Sequence, residues 1–223
     1  GAMLEPVNTV LKGIKRLNIL PGDNVCVMGQ GPIGLLFTKI LSLQGINVIA
    51  TDLMTTRLKL AEQWGAKKTF NAGDAQLLTQ IHKYLEAGPS ARKSKIAIRK
   101  SPRSLDAAIV AVPANSAVDQ AFQLVRGSGQ VLLFAHTKPG DPHAVDLSNV
   151  CLHEKDLIGS YSADFLLQKE VAKLVFSGRI DMEKLVTHRF PLSETAAAVG
   201  LASKPSPESL KIVVNQAAVS VNS

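Results

Sequence analysis

Apolar positions along this chain alternate between two rhythms. Val7, Val10, Leu11, Ile14 and Leu17 recur at spacings of three and four, which places them on one helical face, and Leu20-Pro21-Gly22-Asp23 then ends the helix with turn chemistry. Val25-Cys26-Val27-Met28 is apolar on both faces, as a strand must be in a parallel sheet covered by helices on either side. From Pro32 to Gln44, Leu35, Leu36, Ile40 and Leu41 return to helical spacing; Gly45 stops that helix and Val48-Ile49-Ala50 makes a second strand. The alternation predicts further helices at 55–64, 74–86, 117–125 and 165–176, and strands near Thr69-Phe70 and at 107–112, 131–135 and 157–161.

Strand–helix alternation with right-handed crossovers winds helices onto both faces of one sheet, so the expected fold class is α/β, a doubly wound parallel sheet with its ligand crevice at the carboxyl ends of the strands. The tail breaks the rhythm. Residues 185–190 and 210–214 read as isolated strands, separated by a short helix and the turn-prone Lys204-Pro205-Ser206-Pro207, with no evident sheet partner. The chain therefore divides into residues 1–3, whose Gly-Ala-Met reads as the remnant of a cleaved purification tag, a sheet domain at 4–184, and a tail at 185–223.

Composition narrows this picture. At 223 residues and 46% hydrophobic, the chain can bury one sizeable core without disulfides. No stretch nears the roughly 18 uninterrupted apolar residues of a membrane span and no secretory pattern opens the chain, which predicts a cytoplasmic protein with no membrane contact. Cys26 and Cys151 form no C-x-x-C pair and support neither a disulfide framework nor a thiolate zinc site. The net charge of +7 is concentrated at 92–103, where six Lys or Arg stand without an acid. A basic run without aromatics reads as a solvated surface loop, and no nucleic acid is expected.

Chemistry enters with the glycines. Gly29-Gln30-Gly31-Pro32-Ile33-Gly34 is a G-x-G-x-x-G that follows a predicted strand and opens a predicted helix, the context of a dinucleotide-binding (Rossmann) turn. Gly29 permits the tight turn, Gly31 has no side chain to hold a pyrophosphate off the backbone, and Gly34 lets helix and strand approach. Pro32 gives up an N–H that the first turn of a helix does not use, and the amides there face phosphate charge. Asp52, 18 residues beyond Gly34, directly follows the second strand. A carboxylate there accepts ribose hydroxyls and repels a 2′-phosphate, which predicts NAD over NADP, while Arg57 supplies positive charge that softens the preference. A methyltransferase using S-adenosylmethionine shares the glycine-rich turn and the acid, but the full six-residue spacing favours a dinucleotide. No H-E-x-x-H, G-x-S-x-G or Tyr-x-x-x-Lys occurs, so no catalytic nucleophile, acid or base can be named. Of the five histidines only His136, at a strand's carboxyl end, borders the crevice.

These stretches, together with Glu5-Pro6, Thr51-Asp52-Leu53, Trp64-Gly65-Ala66, Gly159-Ser160-Tyr161, Ser177-Gly178-Arg179-Ile180, Thr187-His188-Arg189-Phe190-Pro191-Leu192 and Leu210-Lys211-Ile212-Val213-Val214, resemble the medium-chain dehydrogenase/reductase family over residues 4–215. The likeness is to its zinc-dependent sorbitol and threonine dehydrogenase branch. It implies that Ile33 touches the cofactor, that Asp52 and Arg57 hold the adenosine ribose, and that Phe134, Ala135, His136, Ser160 and Tyr161 line the nicotinamide end. It also implies that Glu5, 24 residues ahead of Gly29 and followed by proline, is a zinc ligand in the intact enzyme. The other ligands and the proton relay belong to an amino-terminal GroES-like domain of which this chain contains nothing. By the same resemblance the segment at 156–161 is an edge strand that pairs with its two-fold copy in a homodimer, and the tail strands' usual neighbours lie in that absent domain, leaving the tail mobile or in makeshift contacts. Between Glu86 and Leu105 the basic run replaces the family's short turn.

Two functions are consistent with these features. One is the coenzyme half of an NAD- and zinc-dependent oxidoreductase acting on a small-molecule alcohol or polyol, inactive as this chain alone. The other is a stand-alone dinucleotide-binding or redox-sensing module that engages an acidic partner through its basic loop.

Overall fold

The structure, a computed structural model, describes residues 1–87, 104–135, 140, 142–204 and 206–216; His136 and the basic run at 92–103 lie outside them. The first half of the sheet domain comprises α1 (Leu4–Lys15), β1 (Asn24–Met28), α2 (Pro32–Leu43), β2 (Asn47–Asp52), α3 (Thr55–Gln63), β3 (Lys68–Asn71) and α4 (Leu77–Ala87). The second comprises β4 (Leu105–Val110), α5 (Asn115–Leu124), β5 (Val125–Leu133), α6 (Leu147–Leu152), β6 (Asp156–Gly159) and α7 (Gln168–Phe176). All six strands pair in parallel in the order β3-β2-β1-β4-β5-β6. This is the doubly wound α/β (Rossmann) arrangement expected from the alternation. No helix among the described residues is long and apolar enough to cross a membrane.

The two-sided strands make two cores. Val25 and Val27 join the helices α1, α2 and α7 on one face of the sheet, while Cys26 and Met28 join α4 and α5 on the other. The helices that cover the sheet thus exclude water from both sides of β1, which is why its sequence shows no polar alternation.

Several boundaries differ from the periodicity, each for a local reason. α4 starts at Leu77 rather than at Asp74, because the Asp74 carboxylate accepts the Gln76 N–H and holds a turn ahead of the helix. Gly127-Ser128-Gly129, ahead of the strand expected at 131–135, lies inside β5: Leu105 faces Val125 and Ala107 faces Gln130, so β5 bulges there. Ser128 takes a left-handed φ of 55° within the bulge. β6 ends at Gly159, short of the Tyr161 expected, and α7 is preceded by a 3-10 turn over Phe165–Leu167. The helix α6, six residues long, is too short to register as a period in the sequence.

The tail strands, for which the sequence offered no partners, pair with each other. β7 (Val186–Pro191) and β8 (Lys211–Asn215) form a parallel two-stranded sheet across α8 (Thr195–Ser203). Leu185, fully buried, anchors this unit in the core shared by α1 and α2. The described tail residues are therefore packed on the sheet domain.

Candidate functional site: the glycine turn and the two ends of the crevice

The three glycines of the turn meet three different constraints. Gly29, at φ 93°, donates its N–H to the Thr51 carbonyl at 2.7 Å, and a Cβ on it would stand 2.2 Å from Val112 Cγ1. A Cβ at Gly34 would lie 1.8 Å from the Gly29 carbonyl oxygen, so α2 can start this close to β1 only without a side chain. At Gly31 the nearest atom to such a Cβ is Arg57 Nη1, 4.0 Å away. The backbone is open there, as phosphate approach requires. Pro32 opens α2 at its first position. Gln30, for which spacing suggested nothing, is fully buried and ties the turn down: its Nε2 donates to the Val27 carbonyl and its Oε1 accepts from Thr38 Oγ1, both at 2.9 Å.

Asp52, only 7% exposed, joins this turn from the end of β2. Its Oδ2 accepts the Gln30 N–H at 2.6 Å and its Oδ1 the Met54 N–H at 2.8 Å. Arg57, half-buried on α3, donates from Nη2 to the Ser209 carbonyl at 3.3 Å, and its Nε is buried without a partner among the described residues. Thr56 Oγ1 donates to the Pro207 carbonyl at 3.3 Å. The tail thus borders the same locus as Gly31, Asp52 and Arg57, a proximity that no sequence spacing reports.

The other end of the crevice is less closed. The N–H groups of Phe134 and Ala135 both donate to the Val110 carbonyl, at 3.1 and 3.0 Å, which sets these residues at the carboxyl end of β5. The Phe134 ring, however, packs edge-on against Phe37 with centroids 4.9 Å apart, so its side chain serves the core. Ser160 donates its N–H to the Leu133 carbonyl at 3.1 Å, while its Oγ is buried without a partner among the described residues. Tyr161 is 77% exposed. Ile33 and Pro32 line a cavity of about 310 Å³ with Met3, Pro6 and residues 209–212 of the tail. Glu5 is exposed in the first turn of α1, beside this cavity. Among the described residues no three His, Cys, Asp or Glu gather as a metal site would require.

A sequence model of the zinc-binding dehydrogenase family matches residues 32–177. A sorbitol dehydrogenase of Bombyx mori is 29% identical over 220 residues, covering 96% of this chain and 57% of the relative. An erythritol/L-threitol dehydrogenase of Mycolicibacterium smegmatis is 30% identical over 214 residues, covering 95% and 54%. A Sinorhizobium meliloti 1021 protein, described as a candidate zinc-binding dehydrogenase and solved bound to NADP, has a TM-score of 0.80 at 25% identity, covering 96% of this chain and 58% of that one. The chain spans little more than half the length of these relatives. The matched span begins inside the glycine turn and runs through α7, so the sheet, the turn and the match coincide, and the chain belongs to the zinc-binding dehydrogenase family.

Proposed function

We propose that this chain holds NAD for a zinc-dependent oxidoreductase that moves hydride between an alcohol or polyol and the nicotinamide ring. The observation that carries this reading is Asp52, whose two oxygens are pinned by the N–H groups of Gln30 and Met54 beside the open backbone of Gly31. So held, the carboxylate keeps lone pairs for the ribose hydroxyls and opposes a 2′-phosphate, which favours NAD over NADP. Arg57 lies across the same turn and offers a counter-charge to phosphate. Its Nε and the hydroxyl of Ser160 are buried without partners among the described residues, polar atoms of the kind a bound ligand satisfies.

The bound nicotinamide supplies the hydride chemistry; the chain fixes ribose, diphosphate and ring. Polyol as the substrate class rests on the activities named for the relatives. Zinc does not fit these residues by themselves: Glu5 is a single exposed carboxylate, and a catalytic zinc takes about three protein ligands. No step is assigned to a metal on this chain. Assembly as a homodimer through β6 is supported by its place at the sheet edge and by the 43% exposure of Leu157.

Calorimetric titration tests the cofactor reading. NADH is expected to bind about tenfold more tightly than NADPH, and equal or reversed affinities would overturn the preference. Light scattering on the eluting chain tests the dimer: a wild-type monomer at micromolar concentration, or a dimer indifferent to Leu157→Asp, removes β6 as the interface.

A further inference from the structure

α1 sends one face into the core, yet it carries a polar line at Asn8, Lys12 and Arg16, each one helical turn from the next. All three reach one short segment. Asn8, 1% exposed, donates from Nδ2 to the Asp164 carbonyl at 2.9 Å and to Gln168 Oε1 at 3.2 Å, and accepts the Asp164 N–H at 2.8 Å. Lys12 Nζ donates to the Tyr161 carbonyl at 3.0 Å, and Arg16 Nη1 to the Gly159 carbonyl. Between those two anchored carbonyls sits Ser160, its N–H on Leu133 and its hydroxyl buried without a partner among the described residues.

Among the described residues, β6 has a sheet neighbour on one flank, β5. The exit from β6 is therefore fixed by α1 on one side and β5 on the other. A buried amide with three directional bonds tolerates one loop position, because any slide leaves its donors and acceptor unmet; apolar contacts alone permit sliding.

A doubly wound sheet divides a dinucleotide between its halves, the adenosine over β1–β3 and the second nucleotide over β4–β6. We propose that Asn8, Lys12 and Arg16 are positioning residues for the nicotinamide half: they set the turn at 159–161 that carries Ser160 and Tyr161 to the crevice, and they leave the adenosine half untouched. This rests on the dinucleotide reading above.

The test compares NADH with ADP-ribose, which lacks only the nicotinamide ring, by calorimetry on the chain and its variants. Asn8→Ala is expected to weaken NADH about tenfold while ADP-ribose stays within about twofold. Because Asn8 is buried and its loss can compromise folding, Lys12→Met provides the second arm. It should weaken NADH about threefold, spare ADP-ribose, and be rescued by Lys12→Arg, which restores a donor to the Tyr161 carbonyl. Equal losses for both ligands, or no loss for NADH, would overturn the positioning role. Wild-type chain that binds neither ligand would fail at the earlier step, removing the dinucleotide reading and this inference with it.

Discussion

The two ends of the crevice are finished to different degrees. Where β1 and β2 end, the turn closes on its own segment: Gly29 on Thr51, Gln30 on Val27 and Thr38, Asp52 on Gln30 and Met54, with Arg57 alone reaching out to the tail at Ser209. Where β6 ends, the supports come from a distant helix, the Ser160 hydroxyl has no partner among the described residues, and Tyr161, Phe165 and Leu166 stand 77%, 85% and 80% exposed. The first end is held mainly by local bonds. The second presents a cluster of exposed apolar and aromatic side chains instead.

The widest contrast is in the cysteines. Burial pushes the Cys26 thiol on β1 up to about 12 from its ordinary value, whereas Cys151 on α6 is exposed. A shift of that size lowers the reactive thiolate about a thousandfold. A thiol reagent near pH 8 should therefore titrate one cysteine at once and the second only on unfolding, and two fast thiols would mean that β1 opens readily. Next in size, Gly34→Ala forces a Cβ to within 1.8 Å of the Gly29 carbonyl and should cost about 3 kcal/mol in denaturant unfolding, together with NADH binding. Wild-type stability in that variant would show the turn to be compliant. Asp52→Asn leaves one of two backbone N–H donors facing an amide, and NADH affinity should fall by about 2 kcal/mol, roughly thirtyfold, with a smaller loss for NADPH. Parallel losses for both would dissociate Asp52 from the choice of cofactor. Smallest is Phe165→Ser, which at 85% exposure should change stability by less than about 0.5 kcal/mol. A larger cost would place that ring under cover within this chain.

The locally bonded end is also the more legible one. Gly29, Gly31, Gly34 and Asp52 lie within two strands and a helix, so spacing and residue type together encode their geometry. Gln30 escaped notice because nothing local distinguishes a tethering glutamine from a solvated one. Asn8 lies beside Val7 on a polar line that spacing alone reads as solvated, because its partners lie at Asp164 and Gln168. Arg57 meets Ser209 across 152 residues, and Phe134 turned to Phe37 rather than to the crevice, both through packing that hydrophobic period does not record. His136 and the basic run lie outside the described residues.

The clamp of α1 on the exit from β6 also has a place in time. The bonds from Asn8 to Asp164 and Gln168 span 156 and 160 residues, among the longest in the molecule, whereas β1 finds β2 across a single helix. A ribosome that has finished α1 must still make the whole sheet before the helix can close on its partners, and loop-closure entropy makes that closure late in refolding as well. Pulse-labelled hydrogen exchange should find the Asp164 amide protected after those of β1 and β2, so that α1 is secured to this loop only once the sheet between them has formed.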